Sequence, residues 1–124
     1  MRVMAIRYVH DVDSARRFYQ ALGLTTEFAS RRPRRGGPPV WTELAGSGPG
    51  ANLALHHSVE GPAGSIELSF QADEPLEQVV DRLRGSGYEP ATEIVDEAFG
   101  RSFTIRDPEG LLIQVNENDH ELQR

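Results

Sequence analysis

The chain has 124 residues, a formal charge of −6 and no cysteine. That length accommodates one domain with a core of its own and is too short for two independent ones. The lack of cysteine excludes disulfides, thiolate zinc sites and a cysteine nucleophile. The acidic balance disfavours nucleic acid and anionic membrane surfaces as partners, and no apolar run is long enough for a signal peptide or a membrane span. The expected setting is the cytoplasm.

In chain order, a strand is expected over 3–9, followed by an amphipathic helix in which Val12, Ala15, Phe18, Tyr19 and Leu22 recur at helical spacing. Asp11 or Asp13 caps its start and Gly23 stops it. Strands are expected at 24–29, 40–45 and 51–57, separated by Gly/Pro turns. The run Arg31-Arg32-Pro33-Arg34-Arg35 falls between the first two. It reads as a solvated loop, with gating of an anionic ligand as the competing reading; no aromatics interleave to support nucleic acid binding.

After a connector containing Gly61-Pro62-Ala63-Gly64 comes a strand over 65–71. Ile66, Leu68 and Phe70 point one way along it and Ser65, Glu67, Ser69 and Gln71 the other, as in a strand with one buried face. A second amphipathic helix carries Leu76, Val79, Val80 and Leu83, with Pro75 in its first turn after Asp73 and Glu74, and Gly85 or Gly87 at its end. Strands are expected again at 92–96, 101–106 and 111–117.

Both halves have the order β-α-β-β-β, and the residues repeat as well. A shift of 61 lays Ala15, Phe18, Tyr19 and Leu22 onto Leu76, Val79, Val80 and Leu83; a shift of 60 lays Gly50, Leu53 and Leu55 onto Gly110, Ile113 and Val115. The chain therefore reads as a duplicated module, about 1–57 and 65–124, within a single domain 1–124.

The stretch from Tyr8-Val9-His10-Asp11 through Phe18-Tyr19 to Leu22-Gly23-Leu24 resembles the opening signature of the vicinal-oxygen-chelate superfamily, the glyoxalase, bleomycin-resistance and extradiol-dioxygenase group. Phe99-Gly100 followed by a strand and Asp107-Pro108-Glu109-Gly110 resembles its closing signature. The resemblance spans essentially the whole chain. It implies an α+β fold of two βαβββ modules, each with its helix outside a curved, mostly antiparallel sheet, around a concave cleft.

Metalloenzymes of that family take ligands from the first and fourth strands of each module. Motif spacing carries those positions onto Met4, Ala54, Glu67 and Gln114. Methionine and alanine cannot hold a hard divalent ion, and one carboxylate with one amide is too few ligands. Neither metal nor cofactor is expected. The chain is closest in character to the metal-free, bleomycin-resistance-like members. A displaced site using His56 with Glu67 and Gln114 is the competing reading, whereas His57 points to the other side of its strand.

Strand parity places Met4, Ile6, Tyr8, Ala54, His56, Glu67, Ser69, Leu112, Gln114 and Asn116 on the cleft face, with Trp41, Phe99 and Phe103 as rim or wall aromatics. Tyr8, Trp41, His56, Glu67, Ser69, Phe99, Phe103, Leu112 and Gln114 are the candidate ligand-binding residues. Apolar and aromatic surface with a few polar handles suits a drug-sized organic ligand. The expected function is metal-independent binding or sequestration of an aromatic or cationic natural product, of the antibiotic-resistance type, by a homodimer. Two enzyme readings stand beside it: a metal-free isomerase or cyclase using Tyr8, His56 and Glu67 as its acid–base set, and a lyase or dioxygenase with a displaced metal. No Ser-His-Asp arrangement, phosphate loop or dinucleotide fingerprint is present.

Overall fold

The computed structural model describes residues 4–37, 39–58, 68–97 and 100–118. Strands form where apolar residues alternate and helices where they recur every three or four positions. The elements follow as β1 (Ala5–Val9), α1 (Val12–Leu22), β2 (Thr25–Ala29), β3 (Trp41–Ala45), β4 (Asn52–His57), β5 (Ser69–Gln71), α2 (Leu76–Gly85), β6 (Val95–Glu97), β7 (Gly100–Arg106) and β8 (Leu112–Asn118). This is the expected βαβββ order twice over. The connector 61–64 and the first residues of the strand expected over 65–71 lie outside the described residues.

Hydrogen bonding groups the strands into two four-stranded sheets, β1-β4-β3-β2 and β5-β8-β7-β6. In each, the module's first strand runs parallel to its last while the other pairs are antiparallel. The chain divides into two compact units, residues 1–66 and 67–124. The repeat is visible in the backbone as well. Gly50 and Gly110, sixty residues apart, stand at φ of 78° and 90° just before β4 and β8. Both turns need the left-handed region, where a side chain is disfavoured.

In the first unit, α1 packs on β2, β3 and β4. The side chain of Asp11 accepts the Ser14 N–H at 3.0 Å, satisfying one of the donors orphaned at the helix start. Val12, Ala15, Phe18, Tyr19 and Leu22 are buried, and the Phe18 and Tyr19 rings meet edge to face with centroids 5.0 Å apart. Leu44, Leu53, Leu55 and Val9 complete this core. Arg7 and Thr42 are buried too; both sit opposite Leu55, one on each neighbouring strand. An Arg7 Nη1–H donates to the Tyr8 carbonyl at 3.0 Å. The Thr42 hydroxyl is fully enclosed and has no hydrogen-bond partner among the described residues. The arginine-rich segment after β2 is exposed; within it Arg32 donates to the Gly37 carbonyl at 3.0 Å and lies 3.9 Å from the Asp13 carboxylate.

In the second unit, Leu76, Val79, Val80 and Leu83 of α2 are buried together with Phe103, Ile105, Ile113 and Val115. Pro75 at the helix N-cap makes no side-chain capping bond. Its place is taken by Glu117 of β8, which accepts the Leu76 N–H at 3.0 Å and sets a negative charge at the positive end of the helix. Arg101 bonds both Glu117 and Glu77, joining β7, β8 and the first turn of α2. Hydrogen bonding to Arg101 is the chief cause holding the Glu77 carboxyl below its ordinary value of 4.5, and the same bonds raise Arg101. In the hairpin before β8, the buried Asp107 accepts the Glu109 and Leu111 N–H groups at 3.0 and 2.9 Å. Among the described residues no helix is long and apolar enough to cross a membrane.

Two stability effects are expected. Thr42→Val replaces the unpartnered hydroxyl with a methyl of the same shape, and it should stabilise the protein by about 1 kcal/mol in urea denaturation. A destabilised variant would show that the hydroxyl is satisfied in solution. The Glu77 carboxyl has a lowered folded-state pKa, so its contribution is complete above the ordinary carboxylate range and is lost as pH falls through that range. The urea midpoint should therefore drop between about pH 6 and pH 3, with a shallower slope in Glu77→Gln. The difference should be small and should shrink in salt, because the pair is exposed; an unchanged slope would remove Glu77 from the account.

Candidate functional site

The face of the first sheet opposite the helix-packed side is assembled by register. Across β1, β4 and β3, Tyr8 pairs with His56 and His56 with Trp41; one step along, Ile6 pairs with Ala54 and Ala54 with Glu43. Phe28 on β2 stands beside Glu43, next to a break in the β2–β3 register. Successive residues alternate sides, so these side chains share one face while Leu53, Leu55, Leu44 and Thr42 take the other.

The result is a row of rings. Tyr8 and His56 have centroids 5.3 Å apart at 52°, and Trp41 meets His56 edge to face at 5.7 Å and 80°. Tyr8 is 51% exposed and Phe28 53%, so this aromatic surface is open to a ligand. The Trp41 Nε1–H donates to Glu43 Oε2 at 2.9 Å, which fixes the indole in the sheet face. His56 Nδ1 lies 2.6 Å from the His57 carbonyl oxygen. Since that oxygen only accepts, Nδ1 carries the proton and Nε2 presents its lone pair in the neutral ring.

The corresponding face of the second sheet is polar. Ser69 pairs with Gln114, and Gln114 with Thr104; Gln71 pairs with Asn116, and Asn116 with Ser102. Asn116 donates to the Ser69 hydroxyl at 2.9 Å. Leu112, 45% exposed, stands at the end of this face opposite Arg106. Within each unit, therefore, strand residues that parity grouped lie together: Ile6, Tyr8, Ala54 and His56 in one, where Trp41, expected at the rim, joins them beside His56, and Ser69, Leu112, Gln114 and Asn116 in the other.

Two of the candidate ligand-binding residues, Glu67 and Phe99, lie outside the described residues. Phe103 has to be corrected. It pairs with Val115 between the buried Ile105 and the helix-packed strand β8, and it is itself fully buried. It belongs to the core under α2 rather than to a wall of the site. Alternation in β7 carries the reason: Phe103 and Ile105 are apolar, whereas Ser102, Thr104 and Arg106 are polar. Sequence reasoning also passed over Glu43. The signal was there in the alternation of β3, which sets Trp41, Glu43 and Ala45 against Thr42 and Leu44.

Of the four positions that the family's metalloenzymes use for metal, Glu67 lies outside the described residues, and the other three supply neither imidazole nor carboxylate. Ala54 presents only a methyl group, fully buried between Ile6 and Glu43. Met4 offers a soft thioether, and Gln114 a single neutral amide flanked by Ser69 and Thr104. A divalent ion needs several imidazole or oxygen ligands, and among the described residues no three His, Asp or Glu side chains come together to supply them.

The Glyoxalase/Bleomycin resistance protein/Dioxygenase superfamily model matches residues 3–115, and the chain belongs to that superfamily. Its two βαβββ modules are those of the glyoxalase/bleomycin resistance fold. Solved structures agree. TnmS3, an antibiotic binding protein from Streptomyces sp. CB03234, is 23% identical with a TM-score of 0.75, covering 96% of each chain. TioX from Micromonospora sp. ML1 is 16% identical with a TM-score of 0.72, covering 96% of this chain and 99% of its own. A glyoxalase-related enzyme from Clostridium phytofermentans is 14% identical with a TM-score of 0.72, covering 96% of this chain and 95% of its own. At such identities the likeness is one of fold. No curated protein matches the chain significantly.

Elemental analysis of protein purified without chelator should find no stoichiometric transition metal. Near-unit zinc, nickel, iron or manganese that disappears in His56→Ala would overturn this reading of the donor set.

Proposed function

We propose that the protein is a metal-independent small-molecule binder that takes up an aromatic natural product and returns it unchanged, in the manner of an antibiotic-resistance protein. The observation that carries this reading is the open row of Tyr8, His56 and Trp41 rings, with Phe28 beside it. A flat fused-ring ligand laid on such a surface buries apolar area and stacks. Each ring contact is worth on the order of 1 kcal/mol beyond the area term, enough with polar anchors for micromolar binding. The antibiotic binding described for TnmS3, a protein of the same fold, supports this class of ligand. Within the second unit, Ser69 and Gln114 present hydroxyl and amide groups of a kind that small-molecule sites use, and with Glu67, Leu112 and Phe99 they remain candidate binding residues of that unit. The working form we propose is a cytoplasmic homodimer, since a symmetric pair is the commonest way for a small chain to enlarge a binding surface.

The test uses the single tryptophan. A fused three-ring quinone should quench Trp41 fluorescence with saturation, and Trp41→Ala should weaken binding about tenfold by calorimetry. The quinone recovered after incubation should have its original mass, and light scattering of the same samples should give a dimer. Absence of saturable binding would sink the proposal. Multiple-turnover conversion would replace it with catalysis, for which Tyr8 and His56 are the acid–base groups at hand.

A further inference from the structure

Glu43 is an acidic group set in the middle of an aromatic face. Trp41 lies two residues away on the same side of β3, Phe28 pairs with it from β2, and Ala54 pairs with it from β4. Ala54 contributes only a methyl group, with no polar atom to partner the carboxylate. One carboxylate oxygen accepts the Trp41 Nε1–H bond at 2.9 Å. Among the described residues, no arginine or histidine forms a salt bridge with Glu43, and the chain contains no lysine. The acidic groups that do form ion pairs among the described residues, Asp13, Glu74, Glu77, Glu89 and Glu117, each have an arginine against them.

This arrangement discriminates by charge. A neutral aromatic ligand that covers Glu43 strips water from a carboxylate and offers no cation in return, which costs free energy. A cationic ligand replaces the lost hydration with an ion pair and also lies against the faces of Trp41 and Phe28, where ring quadrupoles attract positive charge. Both effects favour the same ligand.

We infer that Glu43, with Trp41 and Phe28, forms a subsite for the ammonium group of an aromatic amine, so that Glu43 is the residue that selects cationic over neutral ligands. The inference rests on the proposed binding function and deepens it by specifying the charge of the ligand.

The experiment compares two probes of nearly equal shape, a naphthylmethyl-trimethylammonium ion and its uncharged carbon isostere, neopentylnaphthalene, by calorimetry. The cation should bind about tenfold more tightly, and added salt should narrow the gap. Glu43→Gln keeps an amide oxygen to accept the Trp41 bond while removing the charge. It should weaken the cation about tenfold and leave the isostere within about twofold of its original affinity. Equal affinities in the unaltered protein, or a preference for the cation that survives in Glu43→Gln, would overturn the assignment of Glu43. In either case the isostere still binds, and the aromatic-face reading stands. If neither probe nor the fused-ring quinone binds, the underlying function fails and the subsite with it.

Discussion

Each unit contains four strands and one helix, and one helix can dehydrate only one face of a four-stranded sheet. Much else follows from that shortage of cover. In the first unit Leu44, Leu53 and Leu55 alternate onto the face sealed by α1, so Ile6, Tyr8, Trp41 and His56 are left on the other side. In the second, Phe103, Ile105, Ile113 and Val115 join the buried residues of α2, leaving Ser69, Gln114, Asn116 and Thr104. Exposed aromatic surface on a sheet is unfavourable for an isolated domain. Its presence on the first sheet is the observation on which the proposed binding function rests.

The two faces belong to modules of the same element order but differ in chemistry. One is built from rings around a carboxylate, the other from hydroxyls and amides with a single exposed leucine. The backbone repeat remains visible in the paired glycine turns and in the parallel pairing of first strand with last. Such a scaffold constrains where side chains stand without dictating what they do, which is how one superfamily hosts both antibiotic binding and enzymes. Here the scaffold's metal positions hold a thioether, a methyl and an amide among the described residues, and the chemistry available is that of aromatic surface and charge.

A few polar groups tie elements together inside each unit. Asp107 gathers the backbone of the β7–β8 hairpin, and Arg101 ties two strands to the start of α2 through Glu77 and Glu117. Thr42 has no such compensation, a local flaw that places an unsatisfied hydroxyl within the core under α1. Within the first unit, Thr42 lies on the helix-packed side of β3, opposite the face that carries Trp41 and Glu43.

By itself the sequence determined both helices, the order of the strands and the side of each strand on which most of the described residues stand. These are properties of one segment at a time: a period of two or of 3.6 is written locally, and Asp11 with Gly23 marks the ends of α1 without help from elsewhere. Phe103 was legible in the same way, since its alternation with Ser102 and Thr104 puts it beside Ile105 in the core. Tertiary structure alone decided what lies next to what across strands. Parity puts His56 on the cleft face of its own strand but does not say which residue of β3 stands beside it; only the β3–β4 register brings the Trp41 and His56 rings within 5.7 Å and sets Ala54 beside Glu43. Likewise no local pattern around Pro75 reveals that the acceptor for the α2 N-terminus is Glu117, forty-one residues further along the chain. Register depends on turn geometry and on the packing of non-local partners, and a carboxylate becomes a selective site only through the neighbours that packing gives it.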